Sequence, residues 1–200
     1  MNSQIILFDT EYTAWEGSKA RKWSEPWEHR EIIQIAAVRI DLDAMVTELG
    51  CFDCLVKPNY NSILSPYLIA LTGIGQAAVD TLGLSFADAF ASFYAFCDQG
   101  RTPLFCYGDD PDVLEENFGL NNMGSAVFPA GLYDIRVMFE QAGIDTRQYT
   151  SGTVHQSVGA QFDHAAHNAL NDVRSLAVTI RQLARVGKIG EGWVDAILPK

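Results

Sequence analysis

The sequence predicts an α/β domain in which helices flank a central mixed sheet of five strands, three antiparallel strands coming first. Two observations carry that expectation. Gln4 to Phe8, Ile32 to Ile40 and Cys51 to Val56 are short apolar or alternating runs, the signature of strands, and they precede any helical pattern. After Pro58, apolar residues recur at helical spacing and are interrupted by two further strand-like runs, as in a mixed sheet covered by helices.

Each element has a local reason. The run ending at Phe8 meets charge at Asp9, as a buried strand does on reaching an edge. Tyr12 to Glu31, between the first two strands, is long for a hairpin connection and holds Trp15, Trp23 and Trp27; loops of that length often carry function. Asp41 to Gly50 is short and turn-like. Pro66 to Leu71 predicts a short helix ending near Thr72-Gly73, and Phe86 to Cys97 a longer one with Ser85 as its N-cap. Leu104 to Tyr107 is the fourth strand. Asp110-Pro111-Asp112 then opens a helix, with Asp110 as cap, proline at the first position and acid in the first turn. A strand over Val127 to Tyr133, a helix over Ile135 to Gln141 and a short helix over Thr153 to Gly159 follow. His164 to Arg185 is the longest helical pattern. No repeat or linker divides the chain, so residues 1–200 are expected to form one domain.

No apolar run approaches the ~20 residues that span a bilayer. Met1-Asn2-Ser3-Gln4 lacks the basic segment of a secretory signal, so a cytoplasmic protein without membrane attachment is expected. Four cysteines do not make a disulfide framework, and Cys51-Phe52-Asp53-Cys54 has no second pair to complete a zinc site. The formal net charge of −11 argues against a broad nucleic-acid-binding surface, whose affinity comes from cations on phosphates. It argues less against a small carboxylate pocket, where bound divalent ions would invert the local field.

Three segments carry chemistry. Asp9 and Glu11 are two apart, so on a strand both carboxylates leave one face and repel unless a cation lies between them. Asp172 borders the apolar face set by Leu176, Ile180 and Leu183, where an unpartnered carboxylate is costly. Arg174, Arg181, Arg185 and Lys188 project from roughly the opposite side, as an exposed face or a remote contact. His167 would stand about 140° from Asp172 if both were helical, and converges better from a loop or first turn. In the middle segment Asp110 is favoured over Asp109 and Asp112, because Val113 and Leu114 would anchor the turn beneath it. His29, His155 and His164 have no comparable context.

Together these residues resemble the DEDD-type 3′–5′ exonucleases of the ribonuclease-H-like superfamily, in the histidine-bearing subclass, DEDDh. The likeness runs from Phe8-Asp9-Thr10-Glu11, through Leu71-Thr72-Gly73-Ile74 and Asp110, to His167 and Asp172 in an H-x4-D pattern. Tyr107-Gly108-Asp109-Asp110 and Tyr149-Thr150-Ser151-Gly152 are closer to the Eri1-like (3′hExo) branch than to the proofreading polymerase III epsilon branch. The long tryptophan-bearing loop departs from the proofreading members, which usually continue directly into the second strand.

The resemblance implies that Asp9, Glu11, Asp110 and Asp172 hold two Mg²⁺ or Mn²⁺ ions about 4 Å apart, and that His167 is the general base. The implied substrate is single-stranded nucleic acid, RNA favoured and DNA the alternative, with a nucleoside 5′-monophosphate as product. A catalytically silent binding module of the same fold would be expected to lack a ligand or the histidine, and all five positions are filled here. Substrate contacts are expected from Thr10, Tyr12, Leu71, Ile74 and His167. Relatives are frequently dimers, and a homodimer is compatible with the sequence. The three tryptophans are either aromatic staples for their own loop or a lid over the strand.

Overall fold

The computed structural model describes residues 4–42, 45–190 and 192–194. Met1 to Ser3, on which the signal-sequence reading partly rests, lie outside the described residues, as do positions 43 and 44 of the expected turn. Strand β1 (Gln4–Tyr12) occupies the middle of a five-stranded sheet. It pairs antiparallel with β2 (Ile32–Asp41), which pairs antiparallel with β3 (Thr47–Leu55). On its other side β1 runs parallel to β4 (Leu104–Cys106), which is parallel to β5 (Leu132–Asp134). The order is therefore β3-β2-β1-β4-β5, the mixed sheet that the sequence predicts.

Helices α2 (Pro66–Thr72), α4 (Phe86–Phe96) and α6 (Arg136–Gln141) fall close to their expected positions. Ser85 caps α4 by accepting from the Asp88 backbone N–H. Two short helices, α1 (Ser18–Arg21) and α3 (Gln76–Leu82), come without a sequence forecast, because four and seven residues hold too little periodicity to register. Helix α5 spans Asp110–Leu120 and α7 spans Ala169–Arg185.

Several boundaries move, each for a physical reason. Strand β1 continues through Asp9 to Tyr12, because β2 supplies ladder partners along that whole stretch. Strand β3 begins at Thr47, so the turn shortens to the residues between Asp41 and Thr47. The fifth strand is Leu132–Asp134 rather than Val127 to Tyr133, set by its pairing with β4. Val154–Val158 is a 3₁₀ turn. Residues 164–168 are not helical: Asn168 is the cap of α7, its side chain accepting from the Asn171 N–H.

Alternation along β1 sorts the core into two layers. Ile5 and Leu7 face α7, packing with Val38, Val173, Leu176 and Ile180. Ile6 and Phe8 face α4 and α5, packing with Phe90, Phe93, Val113 and Leu114. A smaller cluster of Ala14, Ile33, Leu64, Leu68, Ile74 and Val79 lies beneath the long loop. Part of the basic stripe of α7 is a remote contact: Arg174 pairs with Glu48, and Arg181 donates to the carbonyls of Met45 and Val46, tying the helix to the β2–β3 hairpin, while Arg185 is exposed. Lys188 lies beyond the helix end at Arg185. All four cysteines are free thiols, with Cys51 and Cys54 on β3.

Candidate active site

The second half of β1 brings charge into the interior. Asp9 and Glu11 are both buried, at 6% and 8% exposure, on the face of the sheet covered by α7. Thr10 points to the opposite face and fixes the next element. Its backbone N–H and its hydroxyl both donate to one oxygen of Asp110, at 2.9 and 2.6 Å. That pair of bonds joins the first turn of α5 to β1. Asp110 is the first residue of the helix rather than its cap. Asp109 holds the cap position, makes no side-chain capping bond, and extends into solvent toward Arg136 at 3.8 Å. The geometry nonetheless singles out Asp110: it alone of the three neighbouring acids is buried, while Asp109 and Asp112 are exposed.

The third acid descends from α7. Asp172 sits in its first turn, accepting from the Ser151 hydroxyl at 3.0 Å and from the His167 backbone N–H at 3.1 Å. The second bond explains how a histidine five residues earlier converges on the same place. His167 lies in the loop before the helix with φ of +64°, so the chain turns back and places its backbone over the Asp172 carboxylate. Ligand-capable atoms of Glu11, His167 and Asp172 all lie within 4.8 Å of one another. A loop completes the wall. A Cβ at Gly152 would fall on the Asp172 carboxylate and within 2.8 Å of Ala166 Cβ, so only glycine fits there.

Electrostatics mark the same spot. Burial pushes the Asp9 carboxyl well above its ordinary range, and Asp110, Asp172 and Glu11 push it further. Glu11 is raised by burial, then by Asp172 and Asp110. Asp110 is pushed up to about 7 by burial, against the two hydrogen bonds from Thr10 that favour its anion. Asp172 reaches about 6 by burial, opposed by Ser151 and the His167 amide. Four buried carboxyl groups, all with raised affinity for protons, form an oxygen-rich set suited to a hard cation. Burial, with a smaller contribution from Lys19, shifts the His167 imidazole below its usual value.

The remaining expected contacts are spread around this cluster. Tyr12 is half-buried at the end of β1, its ring 5.6 Å from that of Trp23, and burial together with Asp110 raises its phenol. Leu71 is half-buried near the end of α2. Gly73 terminates that helix in the left-handed region at φ +73°, and Ile74 turns inward, only 7% exposed, onto Leu68 and Val79. The tryptophan loop is stapled by its own side chains. Trp15 and Trp27 meet edge to face at 4.7 Å, and Trp23 donates to the Thr13 carbonyl at 3.1 Å. Glu28 accepts from Ser18 and Arg21 within the same loop. Ser151 had no assigned role in the sequence, since a hydroxyl in a Thr-Ser-Gly turn carries no periodic signal.

The family model described as Exonuclease (RNase_T) matches residues 6–179. No curated protein sequence matches the chain. Among solved structures, the nuclease domain of 3′hExo, a DEDDh family member, bound to rAMP, has a TM-score of 0.79 at 22% identity, covering 93% of this chain and 94% of that one. A 3′-exonuclease with specific 3′-end recognition of a histone mRNA stem-loop has a TM-score of 0.77 at 21% identity, over 93% of this chain and 65% of that one. E. coli exonuclease I in complex with a dA16 oligonucleotide has a TM-score of 0.66 at 17% identity, over 92% of this chain and 41% of that one. The chain thus spans less than two thirds of the full length of the last two proteins. With a family match over most of its residues, the chain belongs to the exonuclease family, and it has the fold that these nucleases share.

Proposed function

We propose that this protein is a divalent-metal-dependent 3′–5′ exonuclease that trims single-stranded nucleic acid, RNA in preference to DNA, and releases nucleoside 5′-monophosphates. The observation that carries the reading is the convergence of Asp9, Glu11, Asp110 and Asp172 with His167 at one end of β1. The four carboxylates would hold two Mg²⁺ or Mn²⁺ ions, whose hard character matches oxygen donors. When bound, such ions supply acidity to an attacking water and charge stabilisation at the departing 3′ oxygen.

The chain's own groups do the rest. His167, held below its ordinary pKa by burial, is neutral at pH 7 and can take the proton from the attacking water at a ring nitrogen. The water oxygen bonds to the terminal phosphorus, the bond from phosphorus to the penultimate 3′ oxygen breaks, and that oxygen leaves to be protonated by solvent. Tyr12 offers a half-buried ring beside the acids on which a terminal base can stack. Thr10 orients Asp110.

The preference for RNA is supported by two relatives of the same fold, one bound to rAMP and one recognising an mRNA stem-loop. DNA is the second reading, favoured by the exonuclease I complex with dA16. Matched RNA and DNA oligomers labelled at the 5′ end, digested in Mg²⁺, separate the two: a ladder shortening from the 3′ end, faster on RNA, is the expected result. Excess EDTA should stop it. Asp9→Ala should lower the rate by at least about a thousandfold with an unchanged circular dichroism spectrum, and wild-type release would remove Asp9 from the site.

A further inference from the structure

Gln34 is a polar side chain on the α7-facing side of a strand whose neighbours there are Ala36, Val38 and Ile40, and it is 2% exposed. Its β1 partner in register is Glu11, so the two side chains leave the sheet side by side on one face. The amide is used at both ends. Its oxygen accepts from the backbone N–H of Ala169 at 3.0 Å, one of the unpaired donors at the start of α7. Its nitrogen donates to the Asp53 carboxylate on β3 at 2.8 Å. One side chain therefore links β2, β3 and the N-terminus of α7, two residues after His167 and three before Asp172.

From this geometry we infer that Gln34 is a positioning residue: it clamps the start of α7 against β1 and so sets the separation of His167 and Asp172 from Glu11. The inference rests on the exonuclease reading for its kinetic consequences, though not for its structural one. Helix α7 reaches the site only through its first turn, and the other contacts there come from the helix's own start or from a loop, not from the sheet: Asn168 with Asn171, and Asp172 with the His167 amide and the Ser151 hydroxyl. The bond from Ala169 to Gln34 spans 135 positions and is the one that ties this turn to the sheet. A primary amide can donate to a carboxylate and accept from a backbone amide at once, through two different atoms. Glutamate would set its own charge against Asp53 and add a negative group next to Glu11. Asp53 locks the amide in the orientation that leaves its oxygen facing α7. Partners behind metal ligands of this kind typically influence metal affinity or rate by about 10–100-fold.

The test uses Gln34→Leu, which keeps volume and removes both bonds, and Asp53→Ala, which removes an exposed partner and leaves the core intact. Gln34→Leu is expected to lower kcat on an RNA oligomer about 10–100-fold with little change in KM, and to weaken Mn²⁺ binding, read by electron paramagnetic resonance, by about tenfold. Asp53→Ala should shift both readouts in the same direction by a smaller factor. At saturating Mn²⁺ in a His167→Ala background, the loss in kcat from Gln34→Leu should shrink, because the share transmitted through His167 is gone and only the share through Asp172 remains. Undiminished Mn²⁺ binding and kcat in folded Gln34→Leu, or the same fold-loss with and without His167, overturns the inference. If Gln34→Leu does not fold, Asp53→Ala decides, and a wild-type result there is a refutation. A wild-type protein that cleaves neither RNA nor DNA counts against the exonuclease reading, while the Mn²⁺ titration still judges the clamp.

Discussion

At the scale of single residues, His167 gathers the most constraints. Its positive φ is uncommon for a residue with a Cβ, and it is the same turn that lets its amide reach Asp172. Burial lowers its pKa, so the neutral base persists below the usual imidazole range. His167→Ala is expected to reduce kcat by about 10²–10⁴ while leaving Mn²⁺ affinity within a few-fold. At saturating metal, the acidic limb of the wild-type kcat profile should fall below pH 6.5, the ordinary imidazole value, and disappear in the variant. A limb that persists without the imidazole would assign it to another group. How much of this was legible is clear from the same residue. The H-x4-D spacing named His167 and Asp172, but a continuous helix would have left them on different sides. The backbone reversal at His167 unites them, and the carboxylate it meets is enclosed by Ser151 and Gly152, distant in sequence.

At the scale of elements, α5 shows how a site acid is placed by a structural one. Asn117, on that helix and 2% exposed, accepts from the Ile32 N–H and donates to the carbonyls of Arg30 and Val113. Arg30 also pairs with Glu116 at 2.7 Å. The end of the tryptophan loop and the start of β2 are thereby fastened to the helix whose first residue is Asp110. Asn117→Ala leaves buried backbone groups unpaired and is expected to lower stability by about 2–3 kcal/mol in urea unfolding. A change under half a kilocalorie would mean that water replaces the amide. The sequence indicated where α5 begins, because proline and acids cluster there. It misplaced the cap by one residue, since the choice between Asp109 and Asp110 is made by Thr10 on β1 and not by the helix itself.

At the scale of the whole molecule, the acid cluster opposes folding unless a cation is present. Asp9 and Glu11 are raised well above their ordinary values, Asp172 to about 6 and Asp110 to about 7. The folded, metal-free protein therefore holds more protons than the unfolded chain as pH rises from the ordinary carboxylate range near 4 to about 7. Stability from these groups is fully present at the low end of that window and is lost toward its upper end. EDTA-treated protein should show a falling Tm between about pH 5 and pH 8, and Mg²⁺ should raise Tm more at the higher pH. A Tm insensitive to Mg²⁺ at pH 8 would contradict the metal site. Among the described residues, no helix is long and apolar enough to cross a membrane.

The sequence by itself determined the ingredients: strand alternation that puts Asp9 and Glu11 on one face, a helix start at the middle acids, and an amphipathic helix that holds Asp172 at the margin of its apolar stripe. These are local patterns with periods of a few residues, so the chain carries them openly. Only the tertiary structure decided which acid of three is enclosed, that Ile74 packs inward, that the tryptophans fasten their own loop, and that Gln34 spans from the sheet to α7. Those outcomes follow from hydrogen bonds and packing between segments up to 135 positions apart. No local pattern encodes such pairings, because each partner's spacing along the chain is set by everything that folds between them.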